Sequence, residues 1–187
     1  MIVLSQDIDN AQRSTRREVE RFAVATLLQQ HFGHRVERGV RECGQPYLRD
    51  YPHLYMSVSH SLGRVVVALS EEPIGIDLER YDERILRIVP RILPEDAHHY
   101  LESCPLGIRV AMAHIFWTSA EALYKLVGDS ELISDFYYEL SSIIYQSEEG
   151  RFALTARYKN APEAILTLQG RFEGDYVLTF ARWAIAP

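Results

Sequence analysis

The stretch Met56-Ser-Val-Ser-His-Ser-Leu-Gly-Arg-Val-Val-Val-Ala-Leu69 sets a Ser-His-Ser triplet just before a run of valines. Because β-branched residues favour extended backbone, residues 64–70 predict a strand. Residues 54–59 predict another strand that leads into the triplet. His60 and its two serines are therefore expected at the mouth of a strand, where polar side chains can bind a ligand or simply bond the backbone.

A further strand is predicted after the turn residues Glu71-Glu-Pro73. In the segment Ile74-Gly-Ile-Asp-Leu-Glu79, apolar residues alternate with Gly75, Asp77 and Glu79. Side chains of a strand point alternately to its two faces, so the carboxylates of Asp77 and Glu79 are expected on the same face. They can belong to a site, or they can form the solvated face of an edge strand.

The rest of the chain predicts helices and strands in separate blocks. Apolar residues at helical spacing, Phe22 and Leu27 among them, predict a helix over residues 14–31. Helices are also predicted from Pro94 onward and over 108–127, and strands near 136–145, 151–158, 163–170 and 175–183. This order predicts an α+β fold with antiparallel sheets, divided into an N-terminal lobe at 1–72 and a C-terminal lobe at 73–187.

The composition of the 187 residues excludes several classes of protein. The chain is 47% hydrophobic and 25% charged, which is typical of a globular protein and not of a disordered one. A net charge of −6 argues against nucleic acid as a partner. The run Val65 to Leu69 is too short to span a bilayer and the first residues lack a basic start, so we expect a cytoplasmic protein without membrane contact. Cys43 and Cys104 are expected to be free thiols.

Seven arginines lie within the first 41 residues, despite the acidic total. Glutamates are interspersed among them, and this pattern favours a solvated helix face. A local site for an anion remains the alternative.

The helix predicted over 108–127 carries an unusual charged pair. Glu121 and Lys125 are one turn apart at the edge of an apolar stripe that includes Phe116. Such a pair can be a surface interaction of about 0.3 kcal/mol. Only two lysines occur beside eighteen arginines, however, and three acids that meet, Asp77, Glu79 and Glu121, would suit Mg²⁺.

The triplet itself has two interpretations. A histidine flanked by serines is often a hydrogen-bonded strand end, but the hydroxyls of Ser59 and Ser61 together with His60 could bind a phosphate. A nucleophilic serine is disfavoured, because no Gly-x-Ser-x-Gly elbow surrounds either serine.

In order and spacing these segments resemble the 4′-phosphopantetheinyl transferase superfamily, in the group of the surfactin-type and second holo-acyl-carrier-protein synthases. Three motifs carry the resemblance: Gly44-Gln-Pro46, Ser57-Val-Ser-His-Ser61, and Gly75-Ile-Asp-Leu-Glu79 followed by Phe116-Trp-Thr-Ser-Ala-Glu-Ala-Leu-Tyr-Lys125. The resemblance implies two similar lobes related by a pseudo-twofold axis, in a monomer.

The resemblance also implies an enzyme that moves the phosphopantetheine arm of coenzyme A onto a serine of an apo acyl or peptidyl carrier protein. Such carriers serve fatty acid or polyketide biosynthesis, and the second product is adenosine 3′,5′-bisphosphate. The residues implied for catalysis are Glu121, Lys125, Asp77 and His60. Those implied for Mg²⁺ are Asp77, Glu79 and Glu121, and those implied for coenzyme A are Arg17, Arg21, Gln45, Pro46, Ser59 and His60.

Three positions depart from the family pattern. Ala120 and Gln45 stand where the family has lysines, and Ser57 stands where asparagine is common. Losing two cations beside a polyanion is expected to weaken coenzyme A binding. A non-catalytic module that binds coenzyme A or a carrier protein is therefore the alternative function, and a plain scaffold domain is a third.

Overall fold

The computed structural model describes residues 1–8, 15–128 and 135–184. Within these ranges it is an α+β structure with two antiparallel sheets. The helices are α1 (Arg16–Phe32), α2 (Glu95–Ser103) and α3 (Leu106–Val127). The strands are β1 (Ile2–Asp7), β2 (Arg38–Val40), β3 (Pro46–Leu48), β4 (Tyr55–Ser61), β5 (Arg64–Ser70), β6 (Gly75–Arg80), β7 (Phe136–Tyr138), β8 (Ile144–Gln146), β9 (Arg151–Tyr158), β10 (Ala161–Glu173) and β11 (Tyr176–Trp183).

The first sheet takes all its strands from residues 2–70, in the order β1-β5-β4-β3-β2. The long helix α1 packs against it through one apolar face, and Gly33, in the left-handed conformation, ends the helix. The buried residues of this core come from both elements: Ala23, Val24, Leu27, Leu28, Leu48, Met56, Val65, Val67 and Leu69.

The second sheet takes its strands from residues 75–183, in the order β6-β11-β10-β9-β7, and β8 also pairs with β9. Helix α3 packs along β6 and β11, and α2 packs against α3. Phe116, Leu123, Phe136, Leu166 and Leu168 lie in the core between this sheet and its helices.

The two sheets meet where β6 packs against β4 and β5. A third apolar cluster fills this junction and includes Val66 of β5, Ile76 and Leu78 of β6, and Leu178 of β11. Gly75 lets α3 approach β6 closely, since a Cβ added there would lie 1.9 Å from the carbonyl oxygen of Ala122. The glycine of the Gly-Ile-Asp-Leu-Glu segment therefore brings the strand that carries Asp77 against the helix that carries Glu121 and Lys125.

The structure confirms the predicted fold class and corrects several details. The predicted strand near 136–145 is two short strands, because a 3₁₀ turn at Leu140–Ser142 interrupts it. The first strand, β1, was not predicted. Phe22, predicted for the apolar face of α1, is 72% exposed. Ser14, where that helix was predicted to begin, lies outside the described residues, as does Arg13.

The division at residues 72 and 73 and the pseudo-twofold relation of the lobes stay predictions. Among the described helices, none is both long enough and apolar enough to cross a membrane.

Candidate active site

A cleft of about 1290 Å³ opens between α1, the segment from Arg35 to Pro46, β4 and the C-terminal end of α3. Five of the six residues predicted to bind coenzyme A line it: Arg17, Arg21, Gln45, Pro46 and His60. Ser59, the sixth, is not among the lining residues. Phe22 lines the cleft as well, which is why this apolar side chain is not in the core.

The cleft is strongly basic although the protein is acidic. Six cationic side chains line it, against two acidic ones, Glu20 and Glu37. The cations are Arg17, Arg21, Arg35, Arg38, Arg49 and Lys125. Within the described ranges, no acid forms an ion pair with the first four of these arginines. Unpaired cations that converge on a concave surface are typical of a site for an anion.

Two of the arginines lie close together, and one of them was not predicted as a site residue. Arg38 donates from Nη2 to the backbone oxygen of Arg21 at 3.2 Å. Burial, and then the positive charge of Arg21, lowers the pKa of the Arg38 guanidinium. An anion between the two side chains would relieve this repulsion. The sequence contained no more specific signal for Arg38 than its place in the arginine-rich segment.

His60 faces the cleft from β4 and is held by an acid of α1. Its Nδ1 lies 3.1 Å from Oε1 of Glu20, which also accepts a hydrogen bond from Nε of Arg16 at 2.9 Å. Glu20 is buried, and the guanidinium of Arg16 supplies a positive charge beside its carboxylate. The carboxylate thus fixes the orientation of the imidazole at the cleft wall.

Three buried serines of β4 join the two sheets. The Oγ atoms of Ser57, Ser59 and Ser61 accept hydrogen bonds from the amides of Ile76, Leu78 and Arg80, at 3.0, 3.1 and 3.0 Å. We call these three serines the serine ladder. They satisfy alternate amides of β6, which is the edge strand of its sheet, and so replace a backbone ladder between β4 and β6.

The hydroxyl of Ser59 is fully used inside the protein. It accepts from Leu78 N, donates to Oδ1 of Asp77 at 2.8 Å, and lies 3.1 Å from Nζ of Lys125. A hydroxyl offers one donor and two acceptor sites. The structure thus gives this serine a place behind the cleft, where its side chain orients Asp77, in contrast to the predicted direct contact with a phosphate.

Asp77 lies at the centre of a buried charged cluster. Its side chain is 4% exposed, and its Oδ1 accepts from Nζ of Lys125 at 2.7 Å. The other oxygen, Oδ2, is buried and has no hydrogen-bond partner in the described part of the chain. A buried carboxylate oxygen without a partner is costly unless another group, such as a cation, satisfies it.

Glu79 and Glu121 share the electrostatic environment of Asp77. Oε2 of Glu79 accepts from Ser61 Oγ at 2.9 Å, and its Oε1 lies 3.4 Å from Nε1 of Trp117. Burial, and then repulsion by Asp77, raises the pKa of Glu79. The pKa of Glu121 is raised in the same way, and Lys125 only partly opposes this effect. The strand and the helix therefore bring three mutually repelling carboxylates into one region.

These carboxylates are not arranged as a ready-made metal cage. Across residues 1–8, 15–128 and 135–184, no group of three His, Cys, Asp or Glu side chains has the geometry to hold a metal ion. The mutual repulsion of the carboxylates and the lack of a metal cage among the described residues agree, because Coulomb repulsion acts over several ångströms whereas ligation of Mg²⁺ needs oxygens at about 2.1 Å. Lys125 already occupies one oxygen of Asp77.

The two positions that lack family lysines have structural roles here. Gln45 donates from Nε2 to the backbone oxygens of Lys125 and Leu126, at 2.9 and 3.1 Å, and so caps the last turn of α3. Ala120 is 1% exposed and does not line the cleft.

Three residues at the site were not predicted as site residues: Trp117, Glu20 and Ser57. Trp117 and Ser57 belong to the motifs that carry the resemblance, and Ser57 also departs from the family pattern. The period of two in Ser57, Ser59 and Ser61 was the available signal for the serine ladder, but it does not reveal which strand faces those hydroxyls.

Comparison with known proteins adds a family to this geometry. The profile of the 4′-phosphopantetheinyl transferase superfamily matches residues 73–181. The 4′-phosphopantetheinyl transferase psf-1 of Bacillus pumilus is 32% identical over 125 residues, which cover 66% of this chain and 52% of that protein. The 4′-phosphopantetheinyl transferase gsp of Aneurinibacillus migulanus is 27% identical over 124 residues, covering 66% of this chain and 49% of the relative.

The 4′-phosphopantetheinyl transferase Sfp of Bacillus subtilis is 27% identical over 88 residues, which cover 47% of this chain and 39% of that protein. The chain thus spans about half, or less, of the length of the curated relatives it matches. The profile extends over more than half of the chain and includes the strand with Asp77 and Glu79 and the helix with Glu121 and Lys125. The chain therefore belongs to the 4′-phosphopantetheinyl transferase superfamily.

Proposed function

We propose that this protein transfers the 4′-phosphopantetheine arm of coenzyme A to a serine of an apo acyl or peptidyl carrier protein and releases adenosine 3′,5′-bisphosphate. The observation that carries the proposal is the position of the basic cleft. It is lined by six cations in a protein of net charge −6, and it includes Lys125, which contacts the acidic cluster. Asp77, Glu79 and Glu121 do not line the cleft themselves, so Lys125 is the residue that links a polyanion bound there to the carboxylates.

The donor set suits Mg²⁺. Asp77, Glu79 and Glu121 offer only oxygen, the preferred donor of a hard cation, and the partnerless Oδ2 of Asp77 is a buried atom that a cation would satisfy. These three residues would hold the ion. When bound, it would offset the negative charge that grows on the leaving phosphate group.

Glu121 is the residue we assign as the general base. Burial, and then two neighbouring carboxylates, raise its pKa, so its carboxylate is a stronger base than that of an ordinary glutamate. The hydroxyl oxygen of the carrier serine bonds to the phosphorus of the phosphopantetheine arm, and the pyrophosphate bond to the adenosine half breaks. The hydroxyl proton passes to Glu121.

The cationic residues bind and orient the substrate. Arg17, Arg21 and Arg38 are the candidates for the phosphates on the adenosine side, and His60, held by Glu20, presents its ring to the same cleft. Lys125 would meet the phosphate charge nearest Asp77. Gln45 contributes by holding the end of α3, which carries Lys125, against the cleft.

The transfer reaction tests this function directly. Purified protein is incubated with coenzyme A and an apo carrier protein, with Mg²⁺ or with a chelator, and the intact mass of the carrier is measured. We expect the mass to rise by one phosphopantetheine only with Mg²⁺, and adenosine 3′,5′-bisphosphate to appear in equal amount. A carrier whose acceptor serine is replaced by alanine is the control and should stay unmodified.

The alternative, a non-catalytic module that binds coenzyme A or a carrier protein, is distinguished by the same preparation. Ala120 and Gln45, in place of the two family lysines, are the observations in its favour. Calorimetric binding of coenzyme A with no mass change on acyl or peptidyl carriers would support the module. If the protein bound neither coenzyme A nor a carrier protein and transferred nothing, both functions would be rejected. We further propose that the protein works as a cytoplasmic monomer, which sedimentation and fractionation can test.

A further inference from the structure

Two residues of the serine ladder make a hydrogen bond that the third does not make. Each of the three serines accepts one amide hydrogen bond from β6, at nearly equal distances. Ser59 and Ser61 also donate to carboxylates of the same strand, Asp77 at 2.8 Å and Glu79 at 2.9 Å. Ser57 has no carboxylate partner in the described part of the chain. One ladder thus contains two positions with an added contact and one without it.

The hydrogen bonds donated by the backbone amides of β6 determine where the hydroxyl protons of the serines point. A hydroxyl carries one proton, and the amide of β6 occupies an acceptor site on the same oxygen. The proton of Ser59 is therefore free to go to Oδ1 of Asp77, and that of Ser61 to Oε2 of Glu79. Each carboxylate therefore accepts a serine hydrogen bond at one oxygen, and the backbone of β6 fixes the direction of that hydrogen bond.

Because each serine binds one oxygen of its carboxylate, the other oxygen is left for a different ligand. In Asp77, Oδ1 is shared by Ser59 and Lys125, whereas Oδ2 is buried and has no hydrogen-bond partner among residues 1–8, 15–128 and 135–184. In Glu79, Oε2 is held by Ser61 at 2.9 Å and Oε1 has only the long contact to Trp117 at 3.4 Å.

We propose that Ser59 and Ser61 are positioning residues for a divalent cation: they orient Asp77 and Glu79 so that Oδ2 and Oε1 face the ion, whereas Ser57, which joins the two sheets and lines the cleft, orients no carboxylate. The inference rests on the proposed function, since it takes these carboxylates as ligands. Mg²⁺ and Mn²⁺ need near-octahedral geometry at short distances, so the angle of each carboxylate matters as much as its presence. The hydroxyls act through the carboxylates and do not touch the ion.

The test compares alanine variants of the three ladder positions. Mn²⁺ is titrated into each protein with coenzyme A present and no carrier, and free Mn²⁺ is measured by electron paramagnetic resonance. We expect Ser59→Ala and Ser61→Ala to weaken Mn²⁺ binding about tenfold or more, since loss of a group that orients a ligand typically costs 10–100-fold. Ser57→Ala should change the affinity less than about twofold.

Thermal stability separates positioning from a merely structural role. All three variants lose the hydrogen bond from one amide of β6, so all three melting temperatures should fall, and they should fall further for Ser59→Ala and Ser61→Ala, which also lose a bond to a carboxylate. Ion affinities that fall equally in all three variants would overturn the proposal, as would a wild-type protein that binds no Mn²⁺. Ser59→Cys and Ser61→Cys keep the side-chain shape with a weaker donor, and serve if an alanine variant does not fold.

The same data distinguish this proposal from the proposed function. If the wild-type protein transfers the arm to the carrier but Ser59→Ala and Ser61→Ala bind Mn²⁺ as tightly as the wild type, the positioning role is removed and the transferase function stays. The expected order of affinities without any transfer to a carrier would remove the transferase and keep the positioning role.

Discussion

Replacing Glu121 with glutamine is expected to abolish transfer to the carrier and, at the same time, to stabilise the protein without ligands at neutral pH. The loss of a general base typically costs about 100- to 10,000-fold in rate, and the change also removes one oxygen ligand. The gain in stability follows from the raised pKa of Glu121, which burial and the charges of Asp77 and Glu79 cause.

The sign of the pH dependence follows from proton linkage. The pKa of Glu121 is higher in the folded protein than its ordinary value near 4.5, so the folded state binds more protons than the unfolded state between the two values. The free energy of unfolding therefore falls as pH rises through this window, and the full penalty is present above it. Glu121→Gln removes the penalty, so its stabilising effect should be present at pH 7 and disappear below the unfolded pKa.

Denaturant unfolding at pH 7 and at pH 4, together with the carrier mass assay, checks this expectation. Glu71→Gln is the control, because Glu71 is exposed in the turn before β6 and should alter neither stability nor transfer. Transfer by Glu121→Gln near the wild-type rate, or a lower free energy of unfolding at pH 7, would refute the role given to Glu121.

Replacing Lys125 with methionine is expected to destabilise the protein by about 3–5 kcal/mol, the usual cost of removing one partner from a buried ion pair. The ammonium group of Lys125 lies 2.7 Å from Oδ1 of Asp77, whose side chain is 4% exposed. Without it, the carboxylate keeps only the bond from Ser59. Mg²⁺ should restore part of the lost stability, and should stabilise this variant more than the wild type.

Lys159→Met is the matched control, since Lys159 is the other lysine of the chain. Its ion pair with Asp135 is long, 3.9 Å, and its side chain is 60% exposed, so the loss should be below about 1 kcal/mol. Free energies of unfolding from urea titrations, with and without Mg²⁺, measure both variants. Equal losses in the two variants would show that Lys125 does not neutralise a buried acid.

Much of this arrangement could be predicted from the sequence because its signals are local. The alternation around Asp77 and Glu79 predicted β6, and helical spacing predicted that Glu121 and Lys125 share one edge of α3. The fold class followed from the order of such elements. These patterns depend on the periods of strands and helices, which a single segment reveals.

What the sequence could not predict depends on contacts between distant segments. The pattern of α1 placed Phe22 on its apolar face, but only the packing of the helix shows that this side chain lines the cleft. Ser59 was expected to face a phosphate, yet the amides of β6 and the carboxylate of Asp77 occupy its hydroxyl. Gln45 suggested a lost cation, whereas its amide caps α3.

A crystal structure with coenzyme A and Mn²⁺ tests most directly whether the basic cleft and the acidic cluster form one site. We predict an anomalous Mn²⁺ peak in contact with Asp77, Glu79 and Glu121, and nucleotide density that runs from the pyrophosphate beside this ion into the cleft lined by Arg17, Arg21 and Arg38. Nucleotide bound elsewhere, or an ion away from these carboxylates, would contradict the account.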